Sequence, residues 1–168
     1  SRLAALEDLP VTWSTPSGFV VLQQYREVRS RRIETKLGEG IVKLSISEDT
    51  NRLNRRRHRS GISPNFVHSL DSAAMALVTC KMKSQGVHHF AMIHDSYGVH
   101  AADVELMSEI IRKVFVEMYK REDLLEKFKN DLIKYFCIPR SKVDQIPALP
   151  EYGNLDLDQV LESEYFFA

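Results

Sequence analysis

His89-Phe90-Ala91-Met92-Ile93-His94-Asp95-Ser96-Tyr97-Gly98 is the stretch on which the reading of this chain turns. Its first half is a compact apolar run, too short for a helix and of the right length for a buried strand. It ends on an acid. An aspartate placed where a core strand emerges is held rigidly by the sheet. Phosphoryl-transfer chemistry needs such placement, because Mg²⁺ is a hard ion held by one or two carboxylates plus substrate phosphates. The plainer reading is that Asp95 starts a turn, as aspartate often does. Spacing alone leaves both open.

Outward from this stretch the pattern is mixed. Upstream, Ser63 and Pro64 suit the N-cap and first turn of a helix. Phe66, Leu70, Ala73, Ala74, Leu77 and Val78 follow at helical spacing until Gly86. His68 and Asp71 lie one turn apart and share a face of that helix. A hydrogen-bonded structural pair is expected there rather than a metal site. His88 and His89 alternate across a strand, so they cannot jointly bind zinc. Downstream, residues 103–120 form the clearest amphipathic helix, with Leu106, Ile110, Val114 and Met118 at period four and Ile111 and Phe115 beside them. A second helix is expected at about residues 122–136 and a short last one at 155–163, with Pro139, Pro147 and Pro150 between them.

The N-terminal third reads differently. Residues 1–18 are loop-like, and Phe19-Val20-Val21-Leu22 suits a short buried strand. Residues 31–37 and 41–47 read as a hairpin around Gly38-Glu39-Gly40. Formal net charge is zero, yet residues 26–59 hold eleven Lys or Arg against five acids, whereas residues 151–168 hold five acids and no base. A basic segment in a neutral chain points to an anionic partner, and the cluster Arg55-Arg56-Arg57 with Arg59 points to nucleic acid. No apolar run approaches the roughly 20 residues of a membrane span. Cys80 and Cys137 fit no metal or redox spacing and are expected to be buried, reduced thiols. The apolar end Tyr165-Phe166-Phe167-Ala168 is expected to be docked. Strand, hairpin, helix, strand, helix and helix in this order indicate an α+β fold.

The order Pro64-Asn65-Phe66-Val67-His68-Ser69, Ile93-His94-Asp95-Ser96-Tyr97-Gly98, Asn154-Leu155-Asp156-Leu157 and Phe166-Phe167-Ala168 resembles the C-terminal part of single-subunit DNA-directed RNA polymerases of the bacteriophage and mitochondrial type. Thr15-Pro16-Ser17-Gly18-Phe19, continuing to Gln24-Tyr25, resembles the segment before that family's specificity loop. The resemblance covers nearly the whole chain. It implies the C-terminal part of a right-hand polymerase: residues 1–68 as the end of the fingers, with a basic specificity hairpin at about 26–59, and residues 69–168 as the C-terminal palm with a terminal foot. Asp95 then matches the second magnesium-binding aspartate and His94 its catalytic neighbour. His68 matches a histidine facing the nucleic acid, and Arg32 is the best-aligned base-contacting residue. Arg55, Arg56 and Arg57 would add nucleic-acid contacts.

The implied cofactor is Mg²⁺, and the implied partners are promoter DNA, the RNA transcript and nucleoside triphosphates. The first catalytic aspartate and the fingers helix are expected in an upstream part of the same polymerase, so this piece alone is expected to be inactive. Gly98 resembles phage members, whereas Leu70-Asp71-Ser72 and His100-Ala101-Ala102-Asp103 look mitochondrial. The balance favours a phage enzyme in the cytoplasm of an infected bacterial host, with the mitochondrial matrix as the alternative. Two other readings stand beside this one. A family-A DNA polymerase palm also carries a strand followed by His-Asp, although Ser96 replaces its usual Glu. The other is a non-catalytic nucleic-acid-binding remnant of a polymerase.

Overall fold

The computed structural model describes residues 9–38, 40–136, 143 and 146–166. The architecture is α+β: helices and small antiparallel hairpins occupy separate parts of the chain. Two compact units are present, one built on Leu22–Pro64 and one on Thr12–Val21 with Asn65–Ala168. The first strands, β1 (Val11–Ser14) and β2 (Val20–Gln23), form a two-stranded sheet. The expected buried strand at Phe19-Val20-Val21-Leu22 is not buried: Phe19, Val20 and Leu22 are 58–70% exposed. The buried residue of β2 is polar Gln23.

In the first unit, β3 (Arg26–Leu37) pairs antiparallel with β4 (Gly40–Leu53), from Leu37↔Gly40 back to Arg26↔Leu53. The expected hairpin is therefore present and extends further toward its base. Gly38 has φ 64°, a left-handed conformation that glycine adopts without a Cβ clash. At about 3.3 Å per residue the ribbon is roughly 36 Å long. Apart from Leu53, buried at its base, the described side chains on both faces are exposed or half-exposed and form no core of their own.

What orders the ribbon is its base. His58 is completely buried, and its Nε2 accepts a 2.9 Å hydrogen bond from the Tyr25 amide. The Gln23 side chain donates to the His58 carbonyl at 3.0 Å, and the Asn54 amide donates to the Tyr25 carbonyl at 2.8 Å. The Tyr25 and His58 rings meet edge to face.

His58 lies on α1, which runs from Arg55 to Ser84. The helix starts eight residues before the expected Ser63–Pro64 boundary. Asn54 provides the cap, its Oδ1 accepting from the Arg57 amide at 3.0 Å. Pro64 sits inside the helix, where its missing N–H removes one bond to the preceding turn. A serine–proline pair has the composition of a helix start, and here the helix runs through it.

The second unit is packed around α2 (Val104–Arg121). Its Met107, Ile110, Ile111 and Val114 bury against Val78 and Met82 of α1 and against Val87. The period-four pattern of the sequence is the stripe that the helix buries. Then come α3 (Leu124–Tyr135) and a single turn, α4 (Gln159–Glu162). Trp13 is fully buried, donates to Ser69 Oγ at 3.0 Å, and packs with Phe66 and Phe128. Phe166 docks edge to face on Phe115, and Arg112 donates to the Ser163 carbonyl from Nε and Nη2. The apolar end is docked at Phe166; Phe167 and Ala168 lie outside the described residues. Cys80 is exposed rather than buried, because it falls on the solvent side of α1, and Cys137 lies outside the described residues. Among the described residues no helix is long and apolar enough to cross a membrane.

Burial holds the His58 imidazole below its ordinary value of 6.5, so the folded protein favours the neutral ring whose Nε2 accepts from Tyr25. A base with a depressed folded value stabilises the fold above its unfolded value and loses that contribution as pH falls. Melting temperature should therefore drop as pH is lowered through 6.5. The His58→Gln protein should begin less stable and show a weaker pH dependence over the same interval.

Candidate functional site

The apolar run at residues 89–93 becomes a strand only at its end: β5 (Ala91–Ile93) pairs with β6 (Ser96–Gly98) in a minimal hairpin. It is a surface hairpin rather than a core strand, for Ile93 is 69% exposed. The unit's core is filled by α1 and α2, and Phe90, Tyr97 and Val99 pack against its side. The Ile93↔Ser96 pair leaves His94 and Asp95 as the two turn residues. Both are exposed. The turn reading of Asp95 is thus correct as geometry, and it does not exclude a ligand role.

That turn is constrained. His94 has φ 54°, and among the described residues it alone, outside glycine, has a positive φ. A positive φ at only the first turn residue matches a type II′ hairpin turn, where glycine is favoured. A side chain there costs on the order of 1–2 kcal/mol. Strain of this kind is retained where the surrounding structure over-determines it, commonly at functional sites. At the other end of the hairpin, Gly98 lies opposite Ala91. A Cβ on Gly98 would stand 2.9 Å from the Ala91 carbonyl oxygen and 3.2 Å from its Cβ. Close backbone approach explains this glycine.

Across from the turn runs α1. A cleft of about 450 Å³ is lined by His68, Asp71, Ser72 and Met75 of that helix and by His94 and Asp95. His68, Asp71 and Asp95, read separately in the sequence, are brought together here with His94. The expected hydrogen-bonded pair of His68 and Asp71 is not formed. Both side chains are exposed, and among the described residues neither makes a hydrogen bond or ion pair. One turn of helix aims both at the cleft instead of at each other. Ser72 and Met75 were not singled out from sequence, although their i+4 and i+7 spacing from His68 carries the signal.

The cleft has a negative character. Burial raises the Tyr97 phenol above its ordinary value, and the carboxylates of Asp71 and then Asp95 add to the rise. Burial also raises Tyr119, with Asp71 adding to it. Both phenols therefore stay protonated at neutral pH. Among the described residues no group of three or more His, Cys, Asp or Glu is placed to hold a metal ion. A second cleft of about 610 Å³, lined by Phe66, Leu70, Leu124, Leu125, Leu155 and Leu157 among others, is mainly apolar. Several of its polar groups are already engaged: Tyr152 donates to Asp123 at 2.6 Å, Lys120 pairs with Asp158 at 2.6 Å and Glu122 with Lys127 at 2.8 Å.

The predicted nucleic-acid residues fall in two places. Arg32 is exposed on the ribbon opposite Ser45, on the face that also carries Ser30, Lys36 and Ser47. Arg55, Arg56 and Arg57 were expected within a hairpin reaching residue 59. The ribbon ends at Leu53, and these three arginines form the first turn of α1. No acid is present in that turn, so three cations meet the positive end of the helix dipole without local compensation.

A strained hairpin turn presenting a carboxylate to a polar helix face, with a basic ribbon in the same chain, suits a protein that handles nucleic acid. The family model for DNA-dependent RNA polymerase matches residues 3–144, and the chain belongs to that family. Its relatives include DNA-directed RNA polymerase 1A of Nicotiana tabacum, 40% identical over 168 residues, covering 98% of this chain and 99% of that protein. The mitochondrial DNA-directed RNA polymerase 1 of Nicotiana sylvestris is 39% identical over 170 residues, 99% of this chain and 16% of that protein. The chloroplastic/mitochondrial DNA-directed RNA polymerase 2 of Arabidopsis thaliana is 37% identical over 170 residues, 99% of this chain and 15% of that protein. The chain thus spans about a sixth of the length of these two organellar relatives. They give the expected phage assignment and bacterial host cytoplasm no support. Gly98, which suggested a phage enzyme, is accounted for by its packing on Ala91.

Gly98→Ala should strain the hairpin, because the nearest atom its methyl meets belongs to the backbone. A cost of about 1–3 kcal/mol, typical of overpacking, is expected as a lowered urea midpoint.

Proposed function

We propose that this chain supplies one carboxylate and the nucleic-acid-facing helix of a DNA-directed RNA polymerase that adds nucleotides by a two-metal mechanism. The observation that carries the reading is Asp95, exposed at the strained turn and facing His68 and Asp71 across the cleft. Family membership favours RNA synthesis over the DNA polymerase alternative. In this reading residues 1–68 are the end of the fingers, residues 69–168 are the palm and foot of a right-hand fold, and the rest of the active centre lies in an upstream part of the same polymerase.

The donor set fits Mg²⁺ in part. Asp95 offers hard oxygen ligands and, among the described residues, is engaged by no hydrogen bond or ion pair. One or two carboxylates from a protein are usual for Mg²⁺, with phosphates and water completing the shell. When bound, the metal would neutralise phosphate charge and activate the attacking 3′-hydroxyl. This chain's own residues position the reactants. The two-residue turn fixes the Asp95 carboxylate against the palm hairpin. His94, beside it, can donate a hydrogen bond to a phosphate or ribose oxygen, and His68 can do so from α1. The basic ribbon engages promoter DNA, with Arg32 as a base-reading residue, while Arg55, Arg56 and Arg57 meet phosphates. The plant relatives named mitochondrial or chloroplastic favour an organellar location, with the mitochondrial matrix first.

In the complete polymerase, Asp95→Asn should abolish nucleotide addition while sparing promoter binding, since the amide keeps the shape and loses the charge. A mutant elongating within a few-fold of wild type would reduce Asp95 to a turn residue and favour the non-catalytic remnant. Arg32→Ala should weaken cognate promoter binding by about 1–3 kcal/mol relative to random duplex, the range for a bidentate base contact. Neutralising Arg55, Arg56 and Arg57 should weaken binding to all duplexes and flatten its salt dependence. Gel-shift titrations on both duplexes at several salt concentrations separate the two effects.

A further inference from the structure

Residues 68, 71, 72 and 75 are spaced i, i+3, i+4 and i+7, which is one face of a helix. On α1 this face carries His68, Asp71, Ser72 and Met75, and all four line the cleft that Asp95 and His94 close from the other side. Three of the four are polar and exposed. Asp71 stands out by its chemistry. An ionised carboxylate only accepts hydrogen bonds. Beside a polyanion it is repelled unless a cation or a hydroxyl donor meets it. Among the described residues none does: Asp71 has no hydrogen bond or ion pair there.

Resting on the polymerase reading above, we propose that Asp71 accepts a hydrogen bond from a ribose 2′-hydroxyl at the growing end of the transcript. It would thereby make the cleft selective for an RNA terminus over a DNA terminus. The 2′-hydroxyl is the donor that RNA offers and DNA lacks. Ser72 and His68, on the same helix face, can serve the neighbouring sugar and phosphate oxygens. Met75 offers a soft apolar surface for the sugar or base edge. A DNA terminus would leave the carboxylate desolvated without a donor, and sites built around a substrate hydroxyl reject analogues lacking it strongly.

The test uses the complete polymerase carrying this chain. RNA primers ending in a ribonucleotide or a single 2′-deoxynucleotide are annealed to a DNA template and extended with nucleoside triphosphates at graded Mg²⁺. Wild type should extend the ribo end about ten- to a hundredfold faster, the range for one hydrogen bond to a charged group. Asp71→Ala should bring that ratio close to one, mainly by slowing the ribo end, and Asp71→Glu should restore part of it. Melting curves of both variants establish that they fold, as expected for an exposed side chain. Equal slowing on both ends with a raised Mg²⁺ requirement would make Asp71 a cation ligand and overturn the proposal. An unchanged ratio would make it a solvated surface acid and overturn the proposal as well. A wild-type enzyme that extends neither primer sinks the polymerase reading itself, an outcome distinct from failure at Asp71.

Discussion

A two-residue turn is the constraint on which the site depends. The Ile93↔Ser96 pair allows only His94 and Asp95 between the strands, so the position of the Asp95 carboxylate is set by backbone geometry. That geometry is anchored on both sides. Gly98 lets β6 approach Ala91 at a distance no larger residue permits, and Tyr97 and Val99 pack against the core of α1 and α2. The hairpin is too small to be stable alone, since isolated two-stranded ribbons are marginal in water. Its order comes from the helices. This arrangement lets a strained His94 persist, because relaxing the turn would pull Tyr97 and Val99 away from their apolar neighbours.

The ribbon β3–β4 solves a related problem by other means. Beyond Leu53, buried at its base, the described side chains of the ribbon are exposed or half-exposed, and its cross-strand Glu34–Lys43 pair, being exposed, adds little. Its register is nevertheless continuous from Val28↔Asp49 to Leu37↔Gly40. The base is what holds it, through polar contacts that must be satisfied because they are buried: Gln23, Tyr25 and Asn54 around the His58 ring and carbonyl. Period two then sorts the ribbon into unlike faces. One carries Ser30, Arg32 and Lys36, and the other carries Arg31 and Ile33 opposite Ile46 and Leu44. In the proposed function, base reading would fall to the first face, whose serines and Arg32 can donate to base edges.

What the sequence revealed depended on whether one signal acted alone. The α2 helix was legible because its apolar period is sustained over the whole of residues 103–120, and it buries the face that the period marks. The ribbon was legible at Gly38, where only turn chemistry was at stake. The start of α1 was not, since Ser63 and Pro64 carry the composition of a helix start and nothing local shows that Asn54 caps first. Phe19 to Leu22 and His89 to Ile93 misled for one reason. A short apolar run reports a preference for burial, and in both places the available core was already filled by other elements, leaving Phe19 and Ile93 mostly exposed. Asp95 and His68 were identifiable as residues, but their sharing of a cleft with Asp71 is a tertiary fact that no local spacing contains.

A net charge of zero conceals two opposed local environments, and the proposed activity requires both. A protein that holds nucleic acid needs cations where it meets phosphates, and here they lie on the ribbon and in the first turn of α1. A protein that transfers a nucleotide needs a carboxylate where phosphate charge must be received, and here Asp95 lines a cleft that it shares with Asp71. Carboxylates beside phosphates are unfavourable on their own. They become favourable only with a cation between them or with hydroxyl donors such as ribose supplies. The same carboxylates that would repel free phosphate therefore make the cleft conditional on its other occupants, a requirement that a basic cleft would not impose.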